Sequence, residues 1–124
     1  MKRQLLLLAI TLMPLLALAD AVEIDGIYYN LIEKGKVAEV TSNPNYYTGD
    51  VTIPEKVTYN EVEYSVTSIG YAAFRDCSRL TSITLPNSLL KIDFESFRNC
   101  IGLSSIEIPN SVSIIAQGAF RNCI

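Results

Sequence analysis

Residues 80–101 read LTSITLPNSLLKIDFESFRNCI, and residues 103–124 read LSSIEIPNSVSIIAQGAFRNCI, the same frame 23 positions later. Pro86/Pro109, Asn87/Asn110, Ser88/Ser111 and the F-R-N-C-I runs starting at Phe97 and Phe120 are identical. Phe74, Arg75 and Cys77 stand another 23 positions earlier. The tripeptide Val51-Thr52-Ile53 before Pro54 matches Ile83-Thr84-Leu85 before Pro86 and Ile106-Glu107-Ile108 before Pro109. Pro54 and Pro86 are 32 apart, however, so the first unit carries nine extra residues. That excess, at residues 58–66, alternates around Asn60-Glu61 and reads as a small hairpin protruding from the first coil.

Within each unit the polar and apolar residues alternate. Ser82, Thr84, Ser105 and Glu107 are expected to face outward, and Ile83, Leu85, Ile106 and Ile108 inward, as a half-buried strand requires. Proline cannot donate to a ladder, so Pro86 and Pro109 end these strands. Leu89 and Ile92, like Val112 and Ile115, form a second inward pair. Small residues, Ala73, Ser96 and Ala119, precede the inward Phe74, Phe97 and Phe120, which suits a single helical or 3₁₀ turn. A period of about 20–29 residues with this pattern indicates a leucine-rich-repeat solenoid. The expected fold is β-rich, with three 23-residue coils joined by short helical or 3₁₀ turns and spanning residues 51–124. Such a fold offers a long surface for binding and rarely a pocket for chemistry.

Residues 20–50 do not repeat. Val22-Glu23-Ile24, Asp25-Gly26 and Ile27-Tyr28-Tyr29 read as a tight hairpin, because Asp-Gly accepts the positive φ angles of a type I′ turn. Lys34-Gly35 marks a second turn, which sends residues 37–41 back along residues 27–32. A repeat array exposes an apolar end unless something covers it, so this segment is the expected N-terminal β cap.

Ahead of it, Lys2 and Arg3 precede an apolar run that ends in Ala17-Leu18-Ala19 and the acidic Asp20. This is a secretory signal pattern, with cleavage expected after Ala19. The run is broken by Pro14 and falls short of the roughly 20 apolar residues of a membrane-spanning helix. The mature protein, residues 20–124, would be secreted or held at the cell surface, with no membrane insertion after cleavage. It keeps eight basic against thirteen acidic residues, a net charge of −5, which argues against nucleic acid and anionic membranes as partners.

The sequence has no histidine, which removes the common Ser-His-Asp and Cys-His arrangements and the usual zinc sites. No glycine-rich phosphate loop and no close pair of carboxylates in a cleft is evident, so no catalytic residue, metal site or cofactor is expected. Cys77, Cys100 and Cys123 share one repeat position. Stacked strands lie about 4.8 Å apart, which exceeds the roughly 3.5–4.5 Å between the Cβ atoms of a disulfide. These cysteines are expected to be buried, reduced and packed.

Three groups of residues are candidates for binding. Ser82, Thr84, Ser105 and Glu107 form the outward strand face. Arg75, Arg98 and Arg121 form a column, either a grip for an acidic partner or a solvated edge paired weakly with Asp76 and Glu95. All seven tyrosines lie at or before Tyr71, and Tyr46-Tyr47, in a loop beside Pro44, is the pair most open to contact with protein or glycan.

The pattern L-x-x-I-x-[LI]-P-x-S-[VL]-x-x-I-x-x-x-[AS]-F-x-x-C, with Ile69-Gly70-Tyr71-Ala72-Ala73-Phe74 as its I-G-x-x-A-F core, resembles the repeat of the BspA-like bacterial surface proteins. The leader and E-I-D-G-I-Y-Y-N-L resemble their N-terminal region. Asp93 and Ala116 depart from the resemblance by standing where it usually has glycine, and Phe94 is bulky where a small or polar residue is common. The resemblance implies a secreted or surface protein-interaction module, of adhesion type, that binds host or neighbouring-cell proteins without catalysis. Two other readings stay open. The coils could be a scaffold or targeting segment of a larger secreted protein continuing past residue 124, or the Tyr-rich region could bind carbohydrate. The apolar residues Ile106, Ile108, Ile115 and Phe120 also make end-to-end self-association an expectation.

Overall fold

The structure is a computed structural model that describes residues 20–123. The leader expected at residues 1–19 lies outside the described residues. The chain starts with three antiparallel strands, β1 (Val22–Ile24), β2 (Ile27–Ile32) and β3 (Val37–Thr41). Asp25 and Gly26 join the first two with φ of 52° and 87°, the two positive angles that a type I′ turn demands.

β4 (Gly49–Thr52) follows, then the hairpin of β5 (Lys56–Tyr59) and β6 (Val62–Ile69), turning at Asn60-Glu61. β7 (Leu80–Thr84), β8 (Lys91–Ile92) and β9 (Ile114–Ile115) complete the order. Two parallel ladders run through the repeats. One joins β3, β6, β8 and β9, and the other joins β4 to β7. The non-repeating segment thus enters the repeat ladder as a rung, through β3 on β6.

The core is a column of rings. Tyr47, Phe74, Phe97 and Phe120 follow one another with centroids 4.5, 5.1 and 5.2 Å apart, the last three stacked nearly parallel. Leu80, Leu89, Ile69 and Ile92 are fully buried around it. Burial fades toward the third coil. Ile115, expected inside, is 50 % exposed, and Ile106, Ile108, Val112 and Phe120 are half-buried, because no further coil covers them among the described residues.

Two expectations fail locally. No helix or 3₁₀ segment occurs among the described residues. The F-R-x-C region instead makes linked turns, in which Ala73, Arg75 and Cys77 donate to Gly70, Ala72 and Phe74. Ala72 (φ 55°) and Asp76 (φ 63°) are left-handed, as are Glu95 and Asn99 one coil later and Gly118 and Asn122 one coil after that. A left-handed residue every fourth position stops a helix from propagating. The strand expected at Ile106 and Ile108 is also absent, since residues 103–108 join no ladder.

The glycine of the I-G-x-x-A-F core serves space rather than φ. A Cβ at Gly70 would lie 2.8 Å from Glu39 Cδ and 2.9 Å from the Val40 carbonyl, because β3 presses on this first coil. Asp93 and Ala116 lie against β6 and β8 instead, where their amides donate to the Ile69 and Ile92 carbonyls. The left-handed demand falls two residues later, where only Gly118 is a glycine. Ala72→Gly is therefore expected to stabilise the fold by about 1 kcal/mol, the strain of a left-handed alanine outweighing the added chain entropy. Urea denaturation measures it, and an unchanged or lower midpoint would count against this account.

Candidate interaction surface

Strands β4 and β7 carry the outward polar row. Asp50, Thr52, Ser82 and Thr84 are exposed on it, while Ile53, Ile83 and Leu85 point into the core. Asp50 accepts hydrogen bonds from Thr81 Oγ1 (3.2 Å) and Ser82 Oγ (2.7 Å), which fixes the hydroxyls to the carboxylate across the ladder. Ser105 and Glu107 are exposed too. They do not continue the sheet, because their segment stands off β7 across a gap of about 370 Å³. The four residues Ser82, Thr84, Ser105 and Glu107 therefore meet around one opening rather than on a flat three-rung sheet.

The arginine column is mostly self-neutralised. Glu95 accepts from Arg75 at 3.0 Å and from Arg98 at 3.1 Å. Asp76 does not pair with an arginine; it accepts from Asn99 Nδ2 at 2.7 Å, and Asn99 Oδ1 accepts from Asn122 Nδ2 at 3.0 Å. The ion-pair side chains are partly exposed, so water screens the pairs and they add little stability. Arg121 is exposed. This arrangement reads more as a solvated edge than as a basic grip.

The tyrosine pair splits. Tyr46 is 55 % exposed. Tyr47 is buried, so it is no contact residue. Its hydroxyl donates to the Thr41 carbonyl (2.6 Å) and accepts from the Tyr28 amide (3.0 Å), and its ring begins the aromatic column. Sequence reasoning passed over a different pair. Tyr71 and Phe94, one repeat apart, are 61 % and 51 % exposed, and the Arg75 guanidinium lies 5.9 Å from the Tyr71 ring. Their shared phase, two residues before the small Ala73 and Ser96, was the available signal.

The cysteines are all unpaired. Cys100 Sγ donates to the Phe74 carbonyl (3.0 Å) and Cys123 Sγ to the Phe97 carbonyl (2.6 Å), each reaching one coil back. Burial pushes the Cys100 thiol from an ordinary 9.0 up to about 12, with Cys123 and Cys77 adding to it. Burial, then the Asp25 charge, pushes the Tyr29 phenol from 10.0 up to about 12. Burial also raises Cys77 and Tyr47. These groups resist deprotonation when folded and not when unfolded. Their contribution is complete below about pH 9 and is lost as pH climbs toward 12. The urea midpoint is expected to fall steadily from pH 9 to pH 11, and a flat profile would contradict the burial. Among the described residues no three His, Cys, Asp or Glu side chains converge on a metal position.

A family model described as the BspA type leucine rich repeat region (6 copies) matches residues 50–124. No curated protein matches the chain. Among solved structures, the chain is similar to a leucine-rich repeat protein from Bacteroides ovatus, with 34% identity and a TM-score of 0.70. That match covers 82% of this chain and 33% of the other. It is also similar to a leucine rich cell surface protein from Faecalibacterium prausnitzii, with 27% identity and a TM-score of 0.68 over 81% of this chain and 27% of that one. A leucine rich repeat protein from T. pallidum shares the fold, with 24% identity and a TM-score of 0.52 over 82% of this chain and 67% of that one. The chain thus spans about a third or less of the first two proteins.

Proposed function

This chain belongs to the BspA-type leucine-rich repeat family, and from that premise we propose that it is a secreted or cell-surface solenoid that binds proteins of a host or neighbouring cell and performs no catalysis. One observation carries the reading: the polar strand row, with hydroxyls tied to Asp50, is held rigidly on a buried ladder and opens beside Glu107. A rigid polar row over a packed core suits protein recognition, where phase-locked side chains meet a complementary surface. The F. prausnitzii relative is described as a cell surface protein, which agrees with an exported location.

The double variant Thr84→Arg with Glu107→Arg places two bulky charges on this face without touching the core. Binding of the labelled protein to cultured epithelial cells is expected to fall at least tenfold, with the circular dichroism spectrum unchanged. Trypsin treatment of the cells should remove binding as well. Retention of binding by the double variant would discard this face. Binding that survives trypsin and is lost after glycosidase treatment would favour carbohydrate, with Tyr46 as its contact.

A second reading makes these coils the targeting segment of a larger protein. It rests on the short share of its relatives that the chain spans. The intact mass of the protein from its native cells tests it: a mass above that of residues 20–124 supports this reading, and a matching mass removes it.

A further inference from the structure

β7 is paired on one side only, with β4. The Thr84 carbonyl turns toward β4, where it accepts from the Ile53 amide at 2.9 Å. Backbone groups alternate sides along an extended strand, so those of Ile83 and Leu85 turn the other way, toward residues 105–109. Among the described residues no backbone hydrogen bond reaches β7 from that side. The intervening gap of about 370 Å³ is lined by the apolar Ile83, Leu85, Ile106 and Ile108.

The separation is local. Elsewhere the third coil packs closely on the second, with β9 on β8 and the Phe120 ring 5.2 Å from Phe97. A repeat-related pair of serines records the same displacement. Ser88 Oγ donates to the Val66 carbonyl one coil back at 2.6 Å. Ser111 Oγ, 23 residues later, is buried with no partner among the described residues. The backbone groups of Ile83 and Leu85 thus stand free along an opening that can admit a hydrogen-bonding guest.

Taking the strand-face reading above as its premise, we infer that the gap is a slot for an extended peptide segment of the protein partner, which adds to the open edge of β7 as a new strand. Strand addition draws affinity from main-chain hydrogen bonds and specificity from alternate side chains. Here alternate residues of the guest would turn apolar groups onto Ile83, Leu85, Ile106 and Ile108. Glu107 is the ionisable side chain that lines the slot, and Asp50 lies on the neighbouring strand, so the guest carries lysine or arginine on its outward positions.

The test uses a capped peptide, Lys-Ile-Thr-Leu-Lys-Thr, with two controls. One control is N-methylated at alternate backbone amides, and the other carries Glu in place of both Lys. Hydrogen exchange read by NMR follows the Ile83 and Leu85 amides. Without peptide they are expected to exchange at least tenfold faster than the Thr84 amide, which faces β4. Saturating peptide should slow them at least tenfold, and each control should bind at least tenfold more weakly. Ile83 and Leu85 amides already protected without peptide would overturn the slot, whether residues 105–108 or a second copy of the chain covers them. Equal affinity of the N-methylated control would overturn it as well. If the double arginine variant still loses cell binding in that case, the strand face stands and strand addition falls.

Discussion

Phe97→Ala is expected to unfold the protein at room temperature. The ring is fully buried and lies between Phe74 at 5.1 Å and Phe120 at 5.2 Å, stacked nearly parallel to both. Its removal takes away a core side chain and leaves a cavity, at a cost of about 3–5 kcal/mol. A larger domain with stability of roughly 5–15 kcal/mol could survive that. In this array each coil is stabilised chiefly by its neighbours, so losing the middle ring weakens both interfaces together. Phe97→Leu retains apolar bulk and is expected to cost roughly half as much. Far-ultraviolet circular dichroism and urea denaturation separate the two. A loss below about 1 kcal/mol for the alanine variant would show that the column is not the main source of stability.

The second large effect is at the N-terminal end of the column. Tyr47→Ala should cost about 3–5 kcal/mol, since the ring is buried against Phe74 with centroids 4.5 Å apart. Tyr47→Phe isolates the hydroxyl. It keeps the ring but strands the Tyr28 amide and the Thr41 carbonyl, which costs about 1–3 kcal/mol. Tyr46→Ala, one residue earlier and exposed, should stay within about 0.5 kcal/mol of the native protein. Thermal and urea midpoints for the three variants decide the matter. Equal effects at 46 and 47 would remove Tyr47 from the core.

The contrast between these two tyrosines shows where the sequence was legible. The 23-residue frame located Phe74, Phe97 and Phe120 because repetition multiplies a weak local pattern. The hairpin at Asp25-Gly26 was legible because its turn chemistry is local. Tyr47 lies outside the repeat, and its place in the column depends on how the first three strands dock on the first coil. No local pattern encodes that docking. The linked turns were illegible for a related reason. Ala72 and Glu95 are ordinary residues, and their left-handed angles are imposed by hydrogen bonds between coils, such as Phe74 to the Ser96 carbonyl at 2.7 Å. The candidate surface was readable residue by residue, yet the gap between Thr84 and Glu107 was not. Identical alternation in two coils implied two equal rungs, and only β7 has a partner strand.

The hydrogen bonds between coils give the array a polarity. At the turn corner each amide donates forward, from Phe74 to Ser96 and from Phe97 to Ala119. Along the β6, β8 and β9 ladder the parallel pairing exchanges bonds in both directions, so the corner alone sets the sense of the array. Reversing a coil would bring donors onto donors at that corner, whereas a coil laid down in the same sense meets each amide with a carbonyl. Stacking there is thus vectorial, each coil presenting amides to the one that follows it.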